Sequence, residues 1–264
     1  AKPRHLRAGP GGQVIVRSLA GAAHQHIDIA HDPALAALAA EEPRLVDPDA
    51  PAARAGRDAD DVTLIAVSKT RPIETVRAAV AAGLRDLGEN RVGELVEKSD
   101  VLPGEADGGE VRWHLIGSLQ RNKARDAAAR ADLFHALDSV RLADALDRKA
   151  AEAGRVLPVL VQVNISDEDA KHGVAPADTH ALLAEVATRE HLRPVGLMGM
   201  AAIAEDAAAL DRVVRPAFAR LRALFEASPT PLSVLSMGMS GDFEVAVEEG
   251  ATHIRVGTAL FGPR

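Results

Sequence analysis

Lys69 stands two residues beyond the apolar run Leu64-Ile65-Ala66-Val67. A lysine carried out of a buried strand is partly desolvated, which lowers its ammonium pKa and frees the amine to attack an aldehyde. The same cation can instead hold a phosphate or carboxylate without a covalent bond, and position alone leaves the two readings even. The other lysines, Lys2, Lys98, Lys123, Lys149 and Lys171, fall in predicted loops or helices. Two further segments carry anion chemistry: Ser236-Met237-Gly238-Met239-Ser240-Gly241 follows one apolar run, and Arg255-Val256-Gly257-Thr258 closes the next. Ser240 offers a hydroxyl and an N–H at the start of a predicted helix, Gly257 lets backbone approach phosphate oxygens, and Thr258 adds a second hydroxyl. A helix cap at Ser240 and a strand-end turn at Gly257 explain the same residues, and a cap can also bind phosphate. Arg255 alternates with apolar Ile254 and Val256, so it faces away from them. An inward arginine needs an anion or an acceptor, and an ion pair with Glu89 is the plainer alternative.

These residues are far apart in sequence, so a scaffold must gather strand ends onto one face. From Asp61 onward, short apolar runs over 62–67, 85–87, 112–116, 133–136, 157–163, 194–198, 233–235 and 253–256 read as strands. Ala-rich stretches of helical period lie between them, over 73–82, 91–98, 122–130, 141–153, 176–189, 206–227 and 241–249. That alternation is the pattern of βα units and a parallel sheet. Eight such strands predict an α/β fold, a closed (β/α)8 TIM-type barrel that forms one domain over 52–264. Ser68-Lys69, Gly88-Glu89-Asn90, Gly117, Asp138-Ser139, Asn164, Gly199-Met200, Ser240 and Gly257-Thr258 all sit where a strand feeds its helix. In a barrel those points share the face that carries active sites. Turns favour Gly, Ser and Asn in any case, but that does not account for the lysine and the arginine.

Composition narrows the chemistry. Of the 264 residues 47% are hydrophobic but only 2% aromatic, so Ala, Val, Leu and Ile must build the core. The net charge of −7 is spread over interspersed acids and bases, which argues against a nucleic-acid footprint. There is no Cys, which removes disulfides, thiolate metal sites and thiol nucleophiles, and no Tyr, a common acid–base partner. No apolar run reaches the roughly 18 residues of a membrane helix, and the basic start lacks a signal-peptide apolar stretch, so the cytoplasm is expected. Residues 1–51 read as an irregular segment, broken by Pro10, Pro33, Pro43, Pro48 and Pro51, with a short helical piece over 32–42. His24, His26 and His31 lack a fourth ligand at a sensible spacing, so a solvated loop is expected there and no metal.

Seven segments, in order, make a resemblance specific: AVSKT at 66–70, GEN at 88–90, HLIGSLQRNK at 114–123, VNIS at 163–166, GLMGM at 196–200, SMGMS at 236–240 and RVGTALFG at 255–262. Together they resemble the YggS/PROSC family of pyridoxal phosphate homeostasis proteins, from about residue 62 to the C-terminus. The resemblance implies a barrel like the alanine racemase N-terminal domain, with pyridoxal 5′-phosphate (PLP) held as a Schiff base on Lys69. It places Ser240, Gly257 and Thr258 at the phosphate and Arg255 at the pyridine nitrogen. Asn90 and Met200 fall near the ring, with Asn164 and His114 as further neighbours. Family members usually open with a long amphipathic helix, which residues 1 to about 50 do not match; residues 52–61 resemble its end.

PLP enzymes that stabilise carbanions usually set an acid beside the pyridine nitrogen, and an always-charged arginine does not serve in that way. With no Tyr as opposing base, and with the chain ending at Arg264 just after the eighth strand, two-base racemisation is not expected. A carrier that passes PLP to apo-enzymes, acting as a monomer, is the expectation. A racemase-like enzyme using His114 as its base is the alternative, and a lysine-dependent aldolase without PLP is a third class.

Overall fold

A computed structural model describes residues 48–102, 105–106, 109–166 and 172–262. Most of the N-terminal segment, with its three histidines and the piece over 32–42, lies outside them, as do Lys2 and Lys171. Eight strands form the barrel: β1 (Thr63–Val67), β2 (Asp86–Glu89), β5 (Arg112–Leu115), β6 (Leu133–Leu137), β7 (Leu157–Val163), β8 (Leu192–Gly199), β9 (Val234–Ser236) and β10 (His253–Val256). Their pairing closes as β1-β10-β9-β8-β7-β6-β5-β2, and every neighbouring pair is parallel. The expected closed α/β barrel is therefore present. A small antiparallel hairpin, β3 (Glu105–Ala106) with β4 (Gly109–Glu110), was not anticipated; two-residue strands leave no periodicity to read.

Helices cover the outside of the sheet, which is why β6 and most of β7 are buried along their length. They are α1 (Asp49–Arg54), α2 (Ile73–Ala81), α3 (Val92–Val101), α4 (Ala124–Arg130), α5 (Val140–Glu152), α6 (Thr179–Ala187), α7 (Arg215–Glu226), α8 (Phe243–Glu248) and α9 (Thr258–Phe261). In α5 the buried positions Leu142, Ala143, Leu146 and Ala150 recur at helical spacing and form one apolar stripe. Small side chains let the helices sit close to the sheet, and Phe134 and Phe218 are the aromatic members of the fully buried set.

Three helical boundaries differ from expectation. The helix read over 206–227 is broken into a short turn Ala207–Ala209, a wide π turn Leu210–Val214, and α7. Pro216 in the first turn of α7 has no N–H to donate, and the chain widens just before it. Residues 121–123 form a 3₁₀ turn ahead of α4. Residues 49–51, read as irregular, belong to α1. That helix packs Ala52 fully into the core, and Arg54 bonds Glu248 at 2.6 Å and Glu244 at 2.9 Å on α8.

Candidate functional site

The C-terminal ends of the strands surround a cavity of about 350 Å³. Lys69, Asn90, Met200, Ser240, Arg255, Gly257 and Thr258 all line it, so the structure gathers the seven residues singled out from the sequence into one space. Arg71, Ile203, Met239 and Asp242 line it as well.

Lys69 leaves β1 between two pinned neighbours. Ser68 is fully buried and its hydroxyl donates to Glu89 Oε1 at 2.7 Å. Lys98, reaching in from α3, donates to Ser68 O and to the same Glu89 oxygen, both at 2.7 Å. Thr70 has φ +62°, a left-handed conformation that a β-branched residue rarely adopts. Its N–H donates to Glu94 Oε2 at 2.6 Å, and that oxygen lies 3.5 Å from Lys98 Nζ. The strained turn presenting Lys69 is thus held by a cluster of two acids and one lysine. Burial pushes the Glu89 carboxyl up, against the opposing pull of Lys98. Burial acts upward on Glu94 too, but the Thr70 N–H and Lys98 outweigh it and hold that carboxyl below its usual range.

On the opposite side, Arg255 is 4% exposed and enters the barrel interior. Its Nη1 donates to Ser236 Oγ at 2.7 Å and its Nη2 to Gly199 O at 3.0 Å. The alternative ion pair with Glu89 is not formed, since Glu89 is taken by Lys98. Burial pushes the guanidinium down to about 10, so it stays charged at neutral pH. Beside it, the N–H groups of Gly257 and Ala259 donate to Ser240 Oγ at 3.3 and 3.2 Å. These are first-turn donors of α9, the kind that anions take at helix starts. The alternative reading of Ser240 as the cap of α8 does not hold: that helix begins at Phe243 with Asp242 in the cap position. Asp242 Oδ1 instead accepts the Met239 N–H at 2.5 Å, which shapes the loop that carries Ser240.

Two glycines are needed for close approach. A Cβ on Gly117 would meet Asn90 O at 2.2 Å, so the loop after β5 can press on the Asn90 backbone only as glycine. A Cβ on Gly257 would meet Val67 at 3.3 Å, tight against the strand that leads to Lys69.

Two weighed neighbours are elsewhere. Asn164 is not among the cavity-lining residues, and its Oδ1 accepts from the Ser166 N–H at 3.3 Å and hydroxyl at 3.1 Å. His114 faces the other mouth of the barrel, bonded to Asp86 at 2.9 Å and His135 at 3.0 Å. The third residue of a four-residue strand lies too deep to act at the C-terminal rim.

The comparisons with known proteins agree on this architecture. Residues 52–264 match the family described as alanine racemase, N-terminal domain. A pyridoxal phosphate homeostasis protein of Pseudomonas aeruginosa is 43% identical over 210 residues, covering 80% of this chain and 88% of that protein. The Escherichia coli protein of the same name is 41% identical over 219 residues, covering 81% and 91%. The chain belongs to the pyridoxal phosphate homeostasis protein family. The solved structure of PipY from Synechococcus elongatus with PLP bound is 38% identical with TM-score 0.67, covering 82% of this chain and all of that one. An alanine racemase from Clostridium difficile shares the fold alone, at 14% identity and TM-score 0.62, covering 77% of this chain and 53% of that one. Among the described residues no helix is long and apolar enough to cross a membrane.

Proposed function

We propose that this chain binds PLP in the C-terminal mouth of its barrel, on Lys69, and serves PLP homeostasis as a carrier rather than as an enzyme. The observation that carries the reading is the convergence of a lysine amine, a buried guanidinium and the Ser240–Gly257 donor group around one cavity. Its size suits a small cofactor, and the donor set fits this one: an amine for an aldehyde, N–H and hydroxyl groups for a phosphate, a cation for a ring nitrogen. When bound, PLP supplies an aldehyde that condenses reversibly with an amine. Lys69 would form that Schiff base, Ser240, Gly257 and Thr258 would hold the phosphate, and Asn90 and Met200 would flank the ring.

Arg255 would donate to the pyridine nitrogen. A buried guanidinium does not hold a proton there as a carboxylic acid would, so the ring stays a poor electron sink. The racemase-like alternative needs a base such as His114, and His114 lies toward the opposite mouth. The lining carboxyl, Asp242, is engaged by the Met239 N–H. Reversible release to apo-enzymes that compete for PLP follows from the chemistry of the linkage.

Adding PLP to the purified protein should produce the visible absorption of a Schiff base. In deuterated water with L-amino acids, little Cα exchange and little D-isomer should appear. A colourless protein would contradict PLP binding, and turnover near one per second or faster would contradict the carrier reading.

A further inference from the structure

Beneath the mouth, a line of polar side chains crosses the barrel interior, where an apolar core is the rule. Asp86 Oδ1 lies 2.9 Å from His114 Nε2, and His114 Nδ1 lies 3.0 Å from His135 Nε2. His135 Nδ1 lies 3.1 Å from Ser236 Oγ, which accepts from Arg255 Nη1 at 2.7 Å. Asp86 and His114, with Arg112, Arg193 and His253, line a second cavity of about 370 Å³ at the N-terminal ends of the strands. The line therefore joins the two mouths.

Donor counting gives it a direction. Asp86 is buried, which would raise its carboxyl, but His114 and Arg112 outweigh burial and hold it at about 2. An ionised carboxylate only accepts, so His114 Nε2 carries a hydrogen. In the neutral ring Nδ1 then accepts, so His135 carries its hydrogen on Nε2 and accepts the Ser236 hydroxyl at Nδ1. Every bond runs from Arg255 toward Asp86.

A second arrangement holds one more proton. His114 becomes an imidazolium, its Nδ1–H donates to His135 Nε2, and the His135 hydrogen sits on Nδ1 facing Ser236. The balance is one solvent proton gained: three ring hydrogens replace two, and Ser236 keeps its own. The charge settles on His114 because it adjoins Asp86, whereas His135 is fully buried and closer to Arg255.

We propose that Asp86, His114, His135 and Ser236 form a proton-linked positioning chain for Arg255, in which proton uptake by the histidine pair and anion binding at the C-terminal mouth strengthen each other. Burial first, and then the charges of His114 and Arg255, act against a proton on His135, and the Arg255 charge opposes a positive charge anywhere along the chain. An anion that offsets the Arg255 field eases that part of the penalty, and linkage requires the proton to tighten the anion by the same factor. The surrounding groups set the rest of the field. His114 faces His253 on β10, with ring centroids 6.3 Å apart, and has Arg112 beside it on β5 and Asp132 at the same mouth. His253 shares its Nδ1 with the Thr252 hydroxyl at 2.9 Å, and burial pushes it down to about 4, so it stays neutral above that range. Asp242 acts on Arg255 through space from the loop before α8.

The proposal rests on the mouth holding PLP, and the test separates the two. The dissociation constant for PLP is measured from about pH 5.5 to 8.5 on the full chain and on His114→Gln, which keeps amide hydrogen bonds but cannot titrate. The ionisations of PLP are common to both proteins, so the ratio of the two constants isolates the chain. The variant should lose about fivefold more affinity at the acid end than at the alkaline end, the low end of coupling between sites; a flat ratio overturns the proposal. Asp86→Asn removes the counter-charge and should move the wild-type step to lower pH, and an unmoved step counts equally against it. Nitrogen NMR of the imidazoles in protein without PLP should show both neutral rings with hydrogen on Nε2, titrating at one shared midpoint; hydrogen on Nδ1 of either neutral ring sinks the scheme. If wild-type protein binds no PLP at any pH, the ligand reading fails by itself. The linkage is then decided by whether inorganic phosphate raises the shared midpoint, and an unchanged midpoint overturns it.

Discussion

The two sides of the C-terminal mouth are held by different physics. On the Lys69 side, Lys98 cancels the charge of a buried acid: it sits 2.7 Å from Glu89, with both side chains almost wholly buried, while Glu94 lies 3.5 Å from the same lysine. On the Arg255 side, the hydrogen bonds of the buried cation go to neutral acceptors, Ser236 Oγ and Gly199 O. A cancelled cluster fixes geometry and projects little field. A buried cation with neutral hydrogen-bond partners, offset only through space by Asp242, would project its remaining field into the cavity, where an anionic ligand would receive it. In the proposed reading the first side would position the amine, and the second would supply the attraction.

The sharpest break in that comparison is removal of the amine itself. Lys69→Ala should abolish the visible PLP band while circular dichroism keeps the native signal, because Lys69 lines the cavity and is no part of the core. Next in size is the cancelled cluster. Lys98→Met leaves Glu89 buried without its partner, and should cost about 3–5 kcal/mol in urea unfolding. The Lys98→Met/Glu89→Gln pair should recover much of that loss. If the single variant is neutral, the cluster does not hold the turn.

The far end of the Arg255 side carries a pH signature. The folded-state carboxyl of Asp86, at about 2, lies below its ordinary value of 3.8, so its contribution is complete above the ordinary carboxylate range. It is lost as pH falls from about 4 through about 2, and amounts to roughly 2 kcal/mol at most. Asp86→Asn should flatten that part of the acid-unfolding profile. The smallest expected effect lies at the rim: Ser240→Ala or Thr258→Val should weaken PLP about tenfold, with less effect on pyridoxal, if the lost hydrogen bonds are to a phosphate as proposed. Equal losses for both ligands would assign these residues to barrel shape.

The strand-end logic led to one cavity lined by Lys69 and Arg255 because period-2 and period-3.6 patterns report which residues share a face. It could not report partners across the fold. Lys98 was placed on a helix, and its spacing of three from buried Leu95 was the available sign that it points inward. Its engagement with Glu89 depends on how α3 packs on β2, which no local pattern encodes. His135 stood in the apolar run Leu133-Phe134-His135-Ala136, where a polar residue inside a buried strand signals an interior bond. The partners came from β5 and β9, at separations of 21 and 101 residues. The cap alternative for Ser240 fails because an Asp two residues later, with its own loop bond, takes that place. His114 was misread for a related reason: strand membership was clear, but depth along the barrel axis was not.

The central claim is that the amine on the cancelled side captures PLP, and one measurement addresses it directly. The PLP-loaded protein is reduced with borohydride, digested, and its peptides mapped by mass spectrometry. The pyridoxyl group should be on Lys69. Its appearance chiefly on Lys123, Lys149 or another lysine, or its absence from every peptide, would contradict the account.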